Sequence, residues 1–274
     1  MNTKRFCSWV ATVALILGSV ARYHGHGRDL SDFVLPEKSA LGIERAFYQF
    51  HPDEETLVRA ALQLDTPLLP PITAYGMFPI YMVRGVLEVL ASAHRADLEE
   101  LYQPALNPQL YGAVRGLSAL LSICCLFTLW FLARTHFPPS VAALATVLMA
   151  AFPIAIQLAH YFTVDGVFAL LSVLATAAFV RATRSRRRTA YIVSGICIGL
   201  AAAVRLNGLL LGLTLLVAHA GSGSEGPSPR ARLKHAVGSE MWWAGVTALA
   251  TLFLLQPYLI LDPELLMRAE SEAR

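Results

Sequence analysis

The stretch AYIVSGICIGLAAAVRLNGLLLGLTLLVA, Ala190 to Ala218, decides how this chain is organised. It is longer than the roughly 17–25 apolar residues that one helix needs to cross a bilayer. Its middle carries Arg205-Leu206-Asn207-Gly208. A single helix would bring Arg205 close to the bilayer centre, where a charge is costly. Two shorter helices meeting at an Asn-Gly turn bring the same arginine to the surface. The hairpin is the cheaper arrangement, and choosing it fixes the direction of every other segment.

Outward from the two halves, Ala190–Val204 and Leu206–Ala218, further apolar runs lie at Phe6–Ala21, Arg115–Ala133, Ser140–Ala159, Val167–Val180 and Met241–Tyr258. Basic residues separate them in clusters: Lys4 and Arg5; Arg134 and His136; Arg181, Arg184, Arg186, Arg187 and Arg188; Arg230, Arg232 and Lys234. With seven spans and the N-terminus inside, every cluster falls on the cytoplasmic side, as the positive-inside rule requires. The run Pro70–Ser92 carries Arg84 and Glu88. Counting it as a span would reverse all later loops, so it is read as helices lying in the membrane interface. The fold expected is therefore an all-α polytopic membrane protein of about seven transmembrane helices. Residues 1–21 form an N-terminal anchor, 22–114 an extracytoplasmic loop with interfacial helices, 115–258 a six-helix bundle and 259–274 an extracytoplasmic tail. Ser19-Val20-Ala21 also fits a signal-peptide cleavage site, but with so many later spans an uncleaved anchor is favoured.

Composition agrees. Of 274 residues, 55% are hydrophobic and 15% charged, against about 25% charged in globular domains. The net charge of +3 is small and scattered, which argues against nucleic acid as a partner. Cys7, Cys124, Cys125 and Cys197 sit in apolar runs without metal-type spacing or a disulfide framework. The loop Gly221–Arg232 (GSGSEGPSPRAR) reads as a flexible connector. No internal repeat of the transporter kind is found.

This topology gathers polar residues at one face. Asp53 and Glu54 lie in His51-Pro52-Asp53-Glu54-Glu55, and His160 and Asp165 lie in His160-Tyr161-Phe162-Thr163-Val164-Asp165-Gly166. Arg205 and Asn207 occupy the hairpin tip, and Gln256-Pro257-Tyr258 closes the last span. Carboxylates, an imidazole and a guanidinium at one interface suit an anionic, lipid-linked substrate. Each has an ordinary reading too. Pro52 followed by three acids is a normal helix start, Asp165 a helix cap, and Arg205 a snorkelling side chain; His51 and His160 fit structural roles. Arg115 opens the second span on the outside, against the positive-inside trend.

In order, these pieces resemble the type-C glycosyltransferases of the protein O-mannosyltransferase and aminoarabinose lipid A transferase kind. The resemblance runs through the basic N-terminus and anchor, His51-Pro52-Asp53-Glu54, Leu69-Pro70-Pro71 and Arg115-Gly116-Leu117-Ser118. It continues through His160 to Asp165, through Gly195 and Gly199 to Ala203-Val204-Arg205-Leu206-Asn207-Gly208, and through Pro257-Tyr258 to Leu261-Asp262-Pro263. It implies a GT-C module of about seven spans with juxtamembrane helices between the first two.

It also implies a polyprenyl-phosphate-sugar donor, and the reaction expected is an inverting transfer to a hydroxyl on a protein, lipid or glycan acceptor. Asp53 maps to the catalytic base, Glu54 to its neighbour, Asp165 to the family's later Asp, and Arg205 to the basic residue of the family's Ala-x-x-Lys/Arg-x-x-Gly pattern. Arg205 is the residue expected to stabilise the leaving phosphate. Arg84 and Arg115 are further phosphate candidates, with His160 and Asn207 on the same face. No metal ligands are assigned, and the sequence points to no definite cofactor. A divalent cation joined by Asp165 is a further candidate, since hard cations take carboxylate ligands.

Two features depart from the pattern. Relatives usually continue into further spans and often a soluble domain, and some carry a juxtamembrane Lys on the lipid phosphate, where Pro70–Ser92 offers only Arg84. The alternative reading is a non-catalytic or truncated relative that binds polyprenyl lipids as a membrane subunit. The compact chain suggests a bacterial inner membrane, with the site extracytoplasmic.

Overall fold

The structure is a computed structural model that describes residues 3–25, 51–64, 72, 75–95, 97–102, 107–221, 239–262 and 264. Leu69-Pro70-Pro71, the connector after Gly221 with Arg230, Arg232 and Lys234, and the tail apart from residues 259–262 and 264 lie outside the described residues. Helices account for all the regular structure described: α1 (Thr3–Tyr23), α2 (Pro52–Leu62), α3 (Met77–His94), α4 (Asn107–His136), α5 (Pro139–Ala151), α6 (Pro153–Gln157), α7 (Val164–Ser185), α8 (Arg188–Ala202), α9 (Leu210–Gly221), α10 (Ser239–Leu255) and α11 (Tyr258–Leu261). Short 3₁₀ turns occur at Glu100–Tyr102 and Leu206–Leu209.

Among the described residues, three helices are long and apolar enough to cross a membrane: Thr3–Tyr23, Pro108–His136 and Val164–Ser185. Pro139–Ala151, Arg188–Ala202, Leu206–Gly221 and Glu240–Leu255 are apolar but shorter. Length and composition thus qualify three of the seven expected spans. Large apolar side chains on these helices are well exposed, Leu254 to 81% and Leu148 to 62%. Continuous apolar surface of this kind needs lipid rather than water around it.

The chain divides into two compact units, residues 1–64 with 80–167, and residues 65–79 with 168–274. In the first unit α1 packs on α5 and α4, and α4 packs on α5. The approach of α1 to α5 is close at Gly18, where an added Cβ would lie 2.8 Å from the Cβ of Ala150. The expected span Ser140–Ala159 is interrupted in this unit. Pro153 has no N–H to give the Met149 carbonyl, so α5 ends at Ala151 and a short α6 follows. The carbonyls left over are taken by Arg22, fully buried at the end of α1. Its Nη2 donates to Met149 O (2.7 Å), Nη1 to Ala150 O and Gly18 O (both 3.0 Å), and Nε to Ser122 Oγ (3.0 Å).

In the second unit α8 lies against α10. Gly195 and Gly199 make this possible, because a Cβ on either would meet Ala244 O or Ala248 O at 2.3 and 2.5 Å. Small residues four apart let two backbones approach, the usual basis of helix pairing in lipid. The break expected near Arg205 is present. Helix α8 ends at Ala202, and Arg205 takes extended backbone (φ −145°, ψ 131°) before the 3₁₀ turn. The carbonyls left at this end are used: Gly76 N–H donates to Val204 O (3.0 Å), while Phe78 N–H (3.2 Å) and Gln256 Nε2 (3.0 Å) both reach Ala203 O.

Candidate functional site

The acidic motif opens helix α2. His51 is its N-cap in extended conformation, and its Nδ1 accepts the Asp53 N–H at 3.2 Å. Pro52 follows at the first helical position, where its missing N–H costs nothing. Asp53, Glu54 and Glu55 fill the first turn and complement the positive end of the helix dipole. Successive residues are turned by roughly 100° on a helix, so neighbours in sequence meet different surroundings. The Asp53 side chain keeps 22% of its surface exposed. Glu54 is fully buried and grips Arg115 of α4 with both oxygens, Nε to Oε1 at 2.9 Å and Nη2 to Oε2 at 2.7 Å. Glu54 Oε1 also accepts the Phe162 N–H at 3.3 Å. Glu55 pairs with Arg59 along the more exposed flank.

The turn before α7 is fixed with equal care. Ser118 of α4, one turn on from Arg115, points its Oγ at Leu158 O (3.0 Å) and Tyr161 O (2.9 Å). Tyr161 is buried and its ring stacks on His51, with centroids 5.0 Å apart and planes at 15°. Burial pushes the Tyr161 phenol up, a hydrogen bond with the Gln157 side chain opposes this, and the nearby Glu54 charge adds to the rise. His160 spends both nitrogens on carbonyls, Nδ1 on Ile156 O (2.7 Å) and Nε2 on His24 O (2.9 Å). A neutral ring can donate to only one of them. Asp165 is half-buried in the first turn of α7.

The remaining sequence candidates are placed as follows. Arg84, on α3, donates through Nη1 to Ala61 O (2.9 Å) and Leu62 O (3.4 Å) at the end of α2, and through Nε to Glu88 (2.9 Å). Arg205 and Asn207 lie in the second unit at the helix break after α8, the first partly and the second largely exposed. The structure therefore brings Glu54 and Arg115 into direct contact and sets Asp53 beside them. Sequence reasoning gave no role to Ser118, Tyr161 or Arg22. For Ser118 the available signal was its helical spacing of three from the anomalous Arg115. Among the described residues no group of three or more His, Cys, Asp or Glu side chains could hold a metal ion.

Comparison with known families gives this arrangement its context. A family model described as dolichyl-phosphate-mannose-protein mannosyltransferase matches residues 109–260, more than half of the 274 residues. The chain belongs to that family. No curated protein and no solved structure gives a significant match. Membership makes the chain a membrane glycosyltransferase of the type-C class. The matched region contains Arg115, His160, Asp165, Arg205 and Asn207. Asp53, Glu54 and Arg84 precede it, and Glu54 is the member of that group that bonds directly to matched residues, Arg115 and Phe162.

Proposed function

We propose that the protein transfers a sugar of the mannose kind from a polyprenyl-phosphate donor to an acceptor hydroxyl, with inversion, at the extracytoplasmic face of a bacterial inner membrane. The single observation that supports it most is the division of labour in the acidic pair. Glu54 is consumed in fixing α2 to Arg115 and Phe162, so Asp53 is the carboxylate left at a partly exposed edge of the same turn.

In this reading Asp53 accepts the proton of the acceptor hydroxyl as that oxygen forms its bond to the anomeric carbon. The bond from the anomeric carbon to the phosphate oxygen breaks at the same time, and the polyprenyl phosphate departs as an anion. A positioned base of this type is worth about 10²–10⁴-fold. Arg205, the basic residue that the sequence resemblance picks out, would meet the leaving phosphate, with Asn207 nearby in sequence. That assignment rests on the sequence resemblance. Asp165 is the second acidic residue and would orient the acceptor. The first unit also holds an apolar groove of about 450 Å³ lined by Met82, Val86, Val89 and Leu90 of α3 with Ala113 and Leu117 of α4, a surface suited to an isoprenoid chain. The acceptor is a hydroxyl on a protein, lipid or glycan.

The test uses the full chain in lipid with radiolabelled polyprenyl-phosphate mannose, wild type beside Asp53→Asn. Label should be transferred by the wild type and lost at least a hundredfold in the variant. A variant with wild-type turnover would remove Asp53 from the role.

A further inference from the structure

His51 carries more chemistry than a helix cap needs. N-caps are ordinarily Ser, Thr, Asp or Asn, whose short side chains do the same work. Here Nδ1 accepts the Asp53 N–H at 3.2 Å, so in this arrangement it holds no proton and the ring proton is on Nε2. The same Nδ1 lies 3.8 Å from Asp53 Oδ2. That distance alone would suit an ion pair, but an accepting nitrogen cannot be half of one, and the hydrogen-bond geometry decides the matter.

The ring is also held in place. It stacks on Tyr161, whose own carbonyl is fixed by Ser118 Oγ at 2.9 Å. The stack fixes the plane of the imidazole, and a half-turn within that plane would put a carbon where the Asp53 N–H needs an acceptor, so the cap fixes which edge faces Asp53 N. What remains is the Nε2–H edge, one ring-width beyond Nδ1, with no hydrogen bond to it among the described residues. The His51 side chain keeps 33% of its surface exposed, beside the 22% of Asp53. An N–H donor next to a carboxylate acceptor is a pair that reads two hydroxyls, one accepting and one donating.

We propose that His51 is a sugar-contacting residue, its Nε2–H donating to a hydroxyl oxygen of the sugar on the lipid-linked donor beside the carboxylate of Asp53. This rests on the glycosyltransferase reading above and adds to it the group that recognises the sugar.

The experiment compares binding of polyprenyl-phosphate mannose and of unglycosylated polyprenyl phosphate to the full chain in nanodiscs. The variants are His51→Asn and His51→Ser, which keep a capping oxygen and lose the imidazole edge. Both should fold, losing only what the stack on Tyr161 contributes to stability, and keep the wild-type affinity for the bare lipid. Affinity for the mannosylated lipid should fall about fivefold to tenfold, the size of one hydrogen bond. Unchanged affinity for both lipids, or an equal fall for both, would overturn the proposal. An Asp53→Asn variant that still transfers mannose would sink the base assignment alone and leave the His51 binding result standing. Wild type that binds the two lipids equally would overturn the His51 contact even if transfer is observed.

Discussion

Glu54 and Arg115, 61 positions apart, form a bidentate ion pair from which solvent is completely excluded, with N–O distances of 2.9 and 2.7 Å. Such a pair contributes modestly compared with a well-packed apolar replacement, yet breaking it from one side strands a charge at a cost of about 3–5 kcal/mol. Arg115→Leu and Glu54→Leu should each lower thermal stability in detergent sharply. The double variant should recover much of the loss. Additive losses in the double variant would mean that the two side chains do not act as a pair.

Gly76 sits where the chain entering α3 crosses the end of α8. A Cβ there would lie 1.9 Å from Ala203 O and 2.3 Å from Gln256 Nε2, one of them backbone that cannot move aside. Gly76→Ala should therefore cost most of the folded yield, measured by size-exclusion chromatography of the solubilised protein. Gly85, mid-helix in α3 with nothing within 4 Å of its added Cβ, is the matched control. Gly85→Ala should stabilise by roughly 0.5–1 kcal/mol, since the helical backbone is no longer held against glycine's freedom.

Which parts of this were legible in the sequence follows from the range of the interactions. Helix positions were readable because apolar runs and basic clusters are local signals, and the helix break at Ala203–Arg205 was readable because an arginine is costly in mid-bilayer. The break at Pro153 was visible as a proline, but its consequence was not, since Arg22 lies 127 and 128 positions from the carbonyls it fills. The same holds for Arg115. It stood out against the charge trend, yet its partner is set by tertiary packing. Asp53 and Glu54 differ in their surroundings because one helical step carries Glu54 into the interior, which their order in the sequence does not reveal. The stack of His51 on Tyr161 joins two quoted motifs that no spacing rule connects.

Alkaline unfolding should report on Tyr161. Burial raises its phenol above the ordinary value of 10.0, with the Gln157 hydrogen bond opposing and the Glu54 charge adding. The unfolded chain then gives up this proton first, so above about pH 10 the folded state binds more protons and stability falls as pH rises. Below that range the group is neutral in both states and contributes no slope. Tyr161→Phe keeps the stacked ring, so its stability should decline less steeply than wild type above pH 10, followed by denaturant titration at fixed pH values. Identical slopes would show that Tyr161 titrates alike in both states.

Arg22 and Pro153 make the most specific structural prediction, because the fault and its repair are in different helices. Residue 153 would normally donate its N–H to Met149 O, four positions back, and proline cannot. Arg22 supplies the missing donor at 2.7 Å and satisfies Ala150 O as well. Arg22→Met keeps the volume and strands both carbonyls, at about 1–3 kcal/mol for each buried group left unmet. Arg22→Lys keeps the charge but has a single nitrogen to share among these acceptors, so its loss should be smaller than that of Arg22→Met. The decisive variant is Arg22→Met combined with Pro153→Ala. The alanine restores the N–H, allows α5 to run on into α6, and should return part of the stability lost in Arg22→Met. Pro153→Ala alone should change stability little, since Met149 O already has a partner. Thermal melts of the four proteins in one detergent form a double-mutant cycle. A combined variant no more stable than Arg22→Met would mean that Arg22 serves packing or charge rather than the break in α5.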